Sequence, residues 1–203
     1  DQIVALFDIV LSSTVKDLTI EGAVVDAGEG ENAYAGILFG KTYGTITLNN
    51  VTIKDGDLKG TNKVGSLIGY AADNSKLNIE NCHIIDTDVK THDVENESGL
   101  AGGFIGYIGQ GNATINNSSV EGGSLKLKNA TKDNKRANSA FIGAIGGSGT
   151  IKLNNCFAKP KYFSQPGGVY PYVCPYGSYP TSSYSDEIHP LIGGNRGTAK
   201  VFI

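Results

Sequence analysis

One short segment recurs five times along this chain with its apolar and asparagine positions in register, and such repetition decides the architecture before any single strand is assigned. The copies are VKDLTI (15–20), LNNVTI (48–53), IENCHI (79–84), INNSSV (115–120) and LNNCFA (153–158). In each, an apolar residue is followed two positions later by Asp17, Asn50, Asn81, Asn117 or Asn155, at intervals of 33, 31, 36 and 38 residues. Intervals that vary this much do not suit helix-pair repeats of fixed length. They suit coils of short strands whose loops differ.

A second motif precedes each copy: ALFD (5–8), ILFG (37–40), SLIG (66–69), GFIG (103–106) and AFIG (140–143). It supplies two apolar rows, Leu6/Leu38/Leu67/Phe104/Phe141 and Phe7/Phe39/Ile68/Ile105/Ile142. Turn signals such as YG (43–44), ADNS (72–75), GQGN (109–112) and GGSG (146–149) separate the two motifs. Around Asn50, apolar Leu48, Val51 and Ile53 alternate with polar Asn49, Thr52 and Lys54, the period of a half-buried strand interrupted by a bend. One repeat cannot bury its apolar face alone. Coils stacked about 4.8 Å apart bury it by piling like on like.

The expectation is an all-β, right-handed parallel β-helix of about five coils, built from residues 1–158, its hand taken from the strong preference of parallel crossovers. Asn50, Asn81, Asn117 and Asn155 are read as structural, because asparagine tolerates the left-handed backbone and its amide can bond the next coil. The 28 glycines, with no tryptophan and no methionine, agree with short strands and many turns.

All six prolines and six of the ten tyrosines lie beyond residue 158. Residues 159–203 are therefore expected to leave the coils and form an irregular proline- and tyrosine-rich cap of the same domain, with one edge strand over 198–203. Tyr162, Tyr170, Tyr172, Tyr176, Tyr179 and Tyr184 are candidate ligand-binding residues, since tyrosine offers a flat apolar face with a polar tip.

Aligning the coils on asparagine puts Asp55 over Asp86 and Asp57 over Asp88, with Lys59, Lys90 and Lys126 in a row nearby. Carboxylates one coil apart have the spacing of a retaining glycosidase pair, and oxygen-rich clusters can hold Ca²⁺. Stacked like charges repel, however, and the lysines offer partners. His83, His92 and His189 show no ligand spacing, and no metal or cofactor is expected. Cys82 and Cys156 fall on one inward row two coils apart, about 9–10 Å, too far for a disulfide. Polar insertions at 90–98 and 126–138 stack at one corner, where solenoids often bind partners.

A net charge of -3 and a pI near 5.6 exclude the basic footprint of a nucleic-acid binder. No apolar run approaches the roughly 20 residues that would span a bilayer, so membrane insertion is not expected.

GSLIGY or GGFIGY followed by NCHI, NSSV or LNNCFA resembles the GLUG-type repeat over about residues 5–158, with Lys41 and Ala144 standing where tyrosine is usual and Ser118 for cysteine. Arrays of this kind occur in large exported surface proteins of bacteria, including adhesins of gut Bacteroidetes. The resemblance implies a non-catalytic, extracellular, cell-surface adhesion or ligand-binding module whose partner is a glycan or a host or partner surface protein. The alternative is a carbohydrate-active β-helix enzyme, a polysaccharide lyase or glycoside hydrolase, using Asp55, Asp57, Asp86 and Asp88 with Lys59 and Lys90.

Overall fold

In the computed structural model, residues 2–30, 33–92, 99–126, 137–164, 192 and 198–203 are described, and all of their regular structure is β. The strands pair in parallel, each with its counterpart one repeat away, to form three sheets of a β-solenoid. Columns of stacked strands are five deep, so the chain completes about four turns between the first and last member of a column.

Each coil passes through five strand positions. The first is occupied by Ile3–Val4, Tyr34–Gly36, Lys63–Gly65, Leu100–Gly102 and Ala137–Ser139. The last is occupied by Val24–Asp26, Asp57–Gly60, Asp88–Thr91, Ser124–Lys126 and Tyr162–Ser164. The three between them form one sheet, in which two long strands, Phe7–Glu21 and Phe39–Lys54, run through all three positions.

The recurrent asparagine marks the bend between the third and fourth positions. Asp17, Asn50, Asn81, Asn117 and Asn155 all adopt left-handed backbone, with φ of 53°, 55°, 52°, 48° and 51°. Their side chains ladder along the outside: the Asn50 amide donates to Asp17 at 2.7 Å, Asn81 to Asn50 at 3.4 Å and Asn155 to Asn117 at 2.7 Å. Asn117 departs from the ladder and donates to Glu80 at 2.6 Å. A second left-handed corner follows at Gly22, Asp55, Asp86 and Gly122.

Inward rows fill the interior. Leu38, Leu67, Phe104 and Phe141 are all 0% exposed, and the rings of Phe104 and Phe141 stack with centroids 4.6 Å apart. In the neighbouring row Phe39, Ile68, Ile105 and Ile142 pair in register. The same two rows end differently at the first coil, where Leu6 is 59% and Phe7 49% exposed because no strand among the described residues covers that edge. Cys82 is buried and Cys156, in the last full coil, is half-buried; both thiols are free, and burial pushes each above the ordinary cysteine range.

Coil five runs further than the proline content predicts. Tyr162–Ser164 continues the last column against Ser124–Lys126, beyond the expected limit at 158. The reason is positional. Pro160 sits at the corner of the final coil, and the equivalent amide one coil earlier, Gly122, donates downward to Lys159. A proline there has no coil below it to bond among the described residues, so its missing N–H breaks no ladder. Lys200–Phe202 then pairs with Thr150–Lys152, and Ile192, fully buried, bridges Ile142. The expected edge strand is present and helps close this end.

Thr42 lies on an inward row with Ala71, Ile108 and Ile145, is 0% exposed, and its hydroxyl has no hydrogen-bond partner among the described residues. Valine has the same shape without the stranded hydroxyl. Thr42→Val is expected to raise stability by about 1 kcal/mol, read as a higher urea midpoint at unchanged slope.

Candidate functional site

The last strand position carries two outward rows flanking one buried row. Leu58, Val89 and Leu125 point inward and are buried. Period-two alternation puts the residues before and after them on the outer face. The row before reads Val24, Asp57, Asp88, Ser124, Tyr162, and the row after reads Asp26, Lys59, Lys90, Lys126. The acidic pair and the lysine row therefore lie side by side, as the repeat alignment predicts.

The lysine row neutralises the pair. Lys90 Nζ lies 3.2 Å from Asp57 Oδ1 and 2.9 Å from Asp88 Oδ2, while the Ser124 hydroxyl donates to Asp88 Oδ1 at 2.6 Å. Burial pushes the Asp88 carboxyl up, but the Ser124 hydroxyl and the cations of Lys90 and Lys126 outweigh it and hold it below the usual carboxylate range. Burial likewise pulls the Lys90 ammonium down, and the two carboxylates more than reverse this. Both groups are charged at neutral pH. A general acid for glycosidic cleavage needs the reverse, a carboxyl whose pKa is raised.

The four predicted carboxylates do not act as one cluster. Asp55 and Asp86 occupy the left-handed corner with φ of 52° and 45°, a backbone role that aspartate tolerates well. Asp55 leans toward Lys54 Nζ at 3.5 Å, whereas Asp86 joins Asp88 on the wall of a cleft.

That cleft, about 430 Å³, is lined by Asp86, Asp88, Ser124, Lys126, Lys161 and Tyr162, with Gly123 contributing backbone and no side chain. Tyr162 is 52% exposed, and Lys126 Nζ sits 4.8 Å from its ring centroid. One aromatic face, two cations, two carboxylates and a hydroxyl thus converge on a single concavity. Of the tyrosines proposed from sequence, Tyr162 is at this site, and Tyr170, Tyr172, Tyr176, Tyr179 and Tyr184 lie outside the described residues. Most of the two polar insertions, and His189 and Cys174, lie outside them as well.

The remaining histidines are engaged locally. His83 Nδ1 is 2.9 Å from the Ser119 hydroxyl, and His92 Nε2 is 2.6 Å from Asp26 Oδ1. Among the described residues no group of three or more His, Cys, Asp or Glu side chains is placed to hold a metal.

A second polar and aromatic group escapes sequence reading. Lys41, Tyr70 and Tyr107 share one row of the second strand position, and Tyr34 and Lys63 share one row of the first. The signal was available in the repeated GY of GSLIGY and GGFIGY, but those tyrosines have no inward role and periodicity passes over them. The rings of Tyr34 and Tyr70 meet edge-on with centroids 5.4 Å apart, and those of Tyr70 and Tyr107 are tilted at 43° with centroids 5.6 Å apart. Burial, with Asp73 nearby, pushes the Tyr70 phenol up to about 12, so it remains a neutral hydroxyl. No protein-family model, curated protein or solved structure matches this chain.

Proposed function

We propose that this chain is a non-catalytic binding module of a bacterial surface protein, working outside the cell and recognising a glycan or the surface of a partner protein. The observation that carries the reading is the cleft around Tyr162. Sugars are recognised by an aromatic face under the ring with charged and hydroxyl groups around its rim, and Tyr162, Lys126, Lys161, Ser124, Asp86 and Asp88 provide that set in one concavity. The arrangement of Asp57, Asp88 and Lys90 supports binding over hydrolysis, since the Asp88 carboxyl is held ionised and has no proton to give at neutral pH. The extracellular, adhesive setting rests on the resemblance of the paired repeat motifs to GLUG-type arrays.

A glycan-array screen followed by calorimetry tests this. Tyr162→Ala is expected to weaken a hit about tenfold, the equivalent of about 1.4 kcal/mol, without changing the thermal midpoint by more than a few degrees. Depolymerised product that disappears in Asp88→Asn would overturn the non-catalytic reading.

A further inference from the structure

The cleft at Tyr162 is a notch cut by coil four. Where coil three carries Asp86 and Thr87, coil four carries Gly122 and Gly123, with φ of 64° and 55°. Two successive side chains are therefore missing from the floor of the cleft. A Cβ on Gly123 would meet the Thr87 backbone, and one on Gly122 would meet the Asp86 carboxylate, so Asp86 leans over the glycine toward the next coil. The walls come from the coils on either side, Asp86 and Asp88 from coil three and Lys161 and Tyr162 from coil five. Two strand spacings, about 10 Å, separate those coils.

The charges on the two walls are not equivalent. Asp88 is already met by Lys90 and by the Ser124 hydroxyl, and Lys126 lies over the Tyr162 ring. Asp86 and Lys161 are both exposed, line the same cleft, and form no ion pair among the described residues. One open carboxylate and one open ammonium thus stand on opposite walls, with an aromatic face beside the ammonium. A ligand bearing a single charge matches one of them and meets the other as a like charge or as a group left without a partner. A ligand with a cation at one end and an anion at the other matches both.

We propose that the cleft selects a zwitterionic sugar unit, with its ammonium group on Asp86, its carboxylate on Lys161 and a ring against Tyr162. The assignment rests on the reading of this cleft as a glycan site. It also sets a direction, since the amino end of the ligand points to coil three and the acidic end to coil five.

The test titrates the full chain with four disaccharides: glucosaminyl-glucuronate, N-acetylglucosaminyl-glucuronate, glucosaminyl-glucose and N-acetylglucosaminyl-glucose. They carry both charges, the anion alone, the cation alone and neither. Amide chemical shifts of the protein read affinity and location together. The zwitterion is expected to bind roughly fivefold more tightly than the anion or the cation, with shifts at Asp86, Gly123 and Tyr162. Asp86→Asn, which keeps a side chain suited to the left-handed corner, is expected to abolish the advantage over the anion. Lys161→Gln is expected to abolish the advantage over the cation. If any of the other three sugars binds at the cleft as tightly as the zwitterion, or if the advantage survives both substitutions, the charge assignment is overturned and the cleft stays a glycan site. If none of the four shifts the cleft residues, the assignment and the glycan reading fall together.

Discussion

Gly106→Ala is expected to destabilise the chain by about 3 kcal/mol, lowering the thermal midpoint by roughly 6–12 °C. A Cβ at this position would lie 2.4 Å from the Val64 nitrogen, 2.6 Å from the Gly69 carbonyl oxygen and 2.9 Å from the Lys63 carbonyl carbon. All three are backbone atoms, so no rotamer change can relieve the overlap. The strain must instead be met by moving a strand that is hydrogen-bonded on both sides, since the second position pairs Ile105–Ile108 with coils above and below. Gly65 answers from the facing row: its own Cβ would come within 2.4 Å of the Gly106 nitrogen. Gly65 and Gly106 thus let the first strand position of one coil and the second strand position of the next touch backbone to backbone. Gly22→Ala provides the control. Nothing lies within 4 Å of a Cβ there, and only the positive φ of 67° opposes the change, which limits the loss to about 1 kcal/mol. Equal midpoints for the two variants would refute the close-approach argument.

Phe104→Ala is expected to remove about 4 kcal/mol. The side chain is 0% exposed, follows Leu67 in its row, and stacks on Phe141 with planes 28° apart. Removing it leaves a void between coils that are tied together by backbone ladders and cannot collapse to fill it. Phe104→Leu keeps most of the volume and should lose less than about 1.5 kcal/mol. Phe7→Ala, in the adjacent apolar row but half-exposed at the uncovered first coil, should fall well short of the Phe104 value. Urea unfolding of the three variants ranks them. A loss at Phe7 equal to that at Phe104 would mean that the first coil is covered in solution.

These contrasts show where the repeat is readable and where it is not. Rows along the solenoid axis follow from equal spacing in sequence, so the asparagine bend, the stacking of Asp57 on Asp88 and the lysine row were all legible from alignment alone. The end positions were not. Leu6 and Phe7 match the core pattern yet lie exposed, because burial depends on whether a coil sits above. Pro160 reads as a stop, yet the chain completes its coil through Ser164, because a proline at the last corner interrupts no ladder among the described residues.

The candidate sites divide along the same line. Tyr162 was legible as an aromatic in an unusual segment, but its place beside Lys126, Asp86 and Asp88 came from its addition to the last column. Tyr34 and Lys63 stand seven residues before Lys41 and Tyr70, on the preceding strand, and that spacing does not show that the side chains meet across the corner.

The amino-acid sequence by itself determined the parallel stack, its coil positions and which residues share a row, because identical spacing forces identical residues to pile up at one strand separation. Only the tertiary structure decided which rows meet across a corner. That depends on how closely two strand positions approach, which the facing glycines set, and on which lysine reaches which ring or carboxylate once they have.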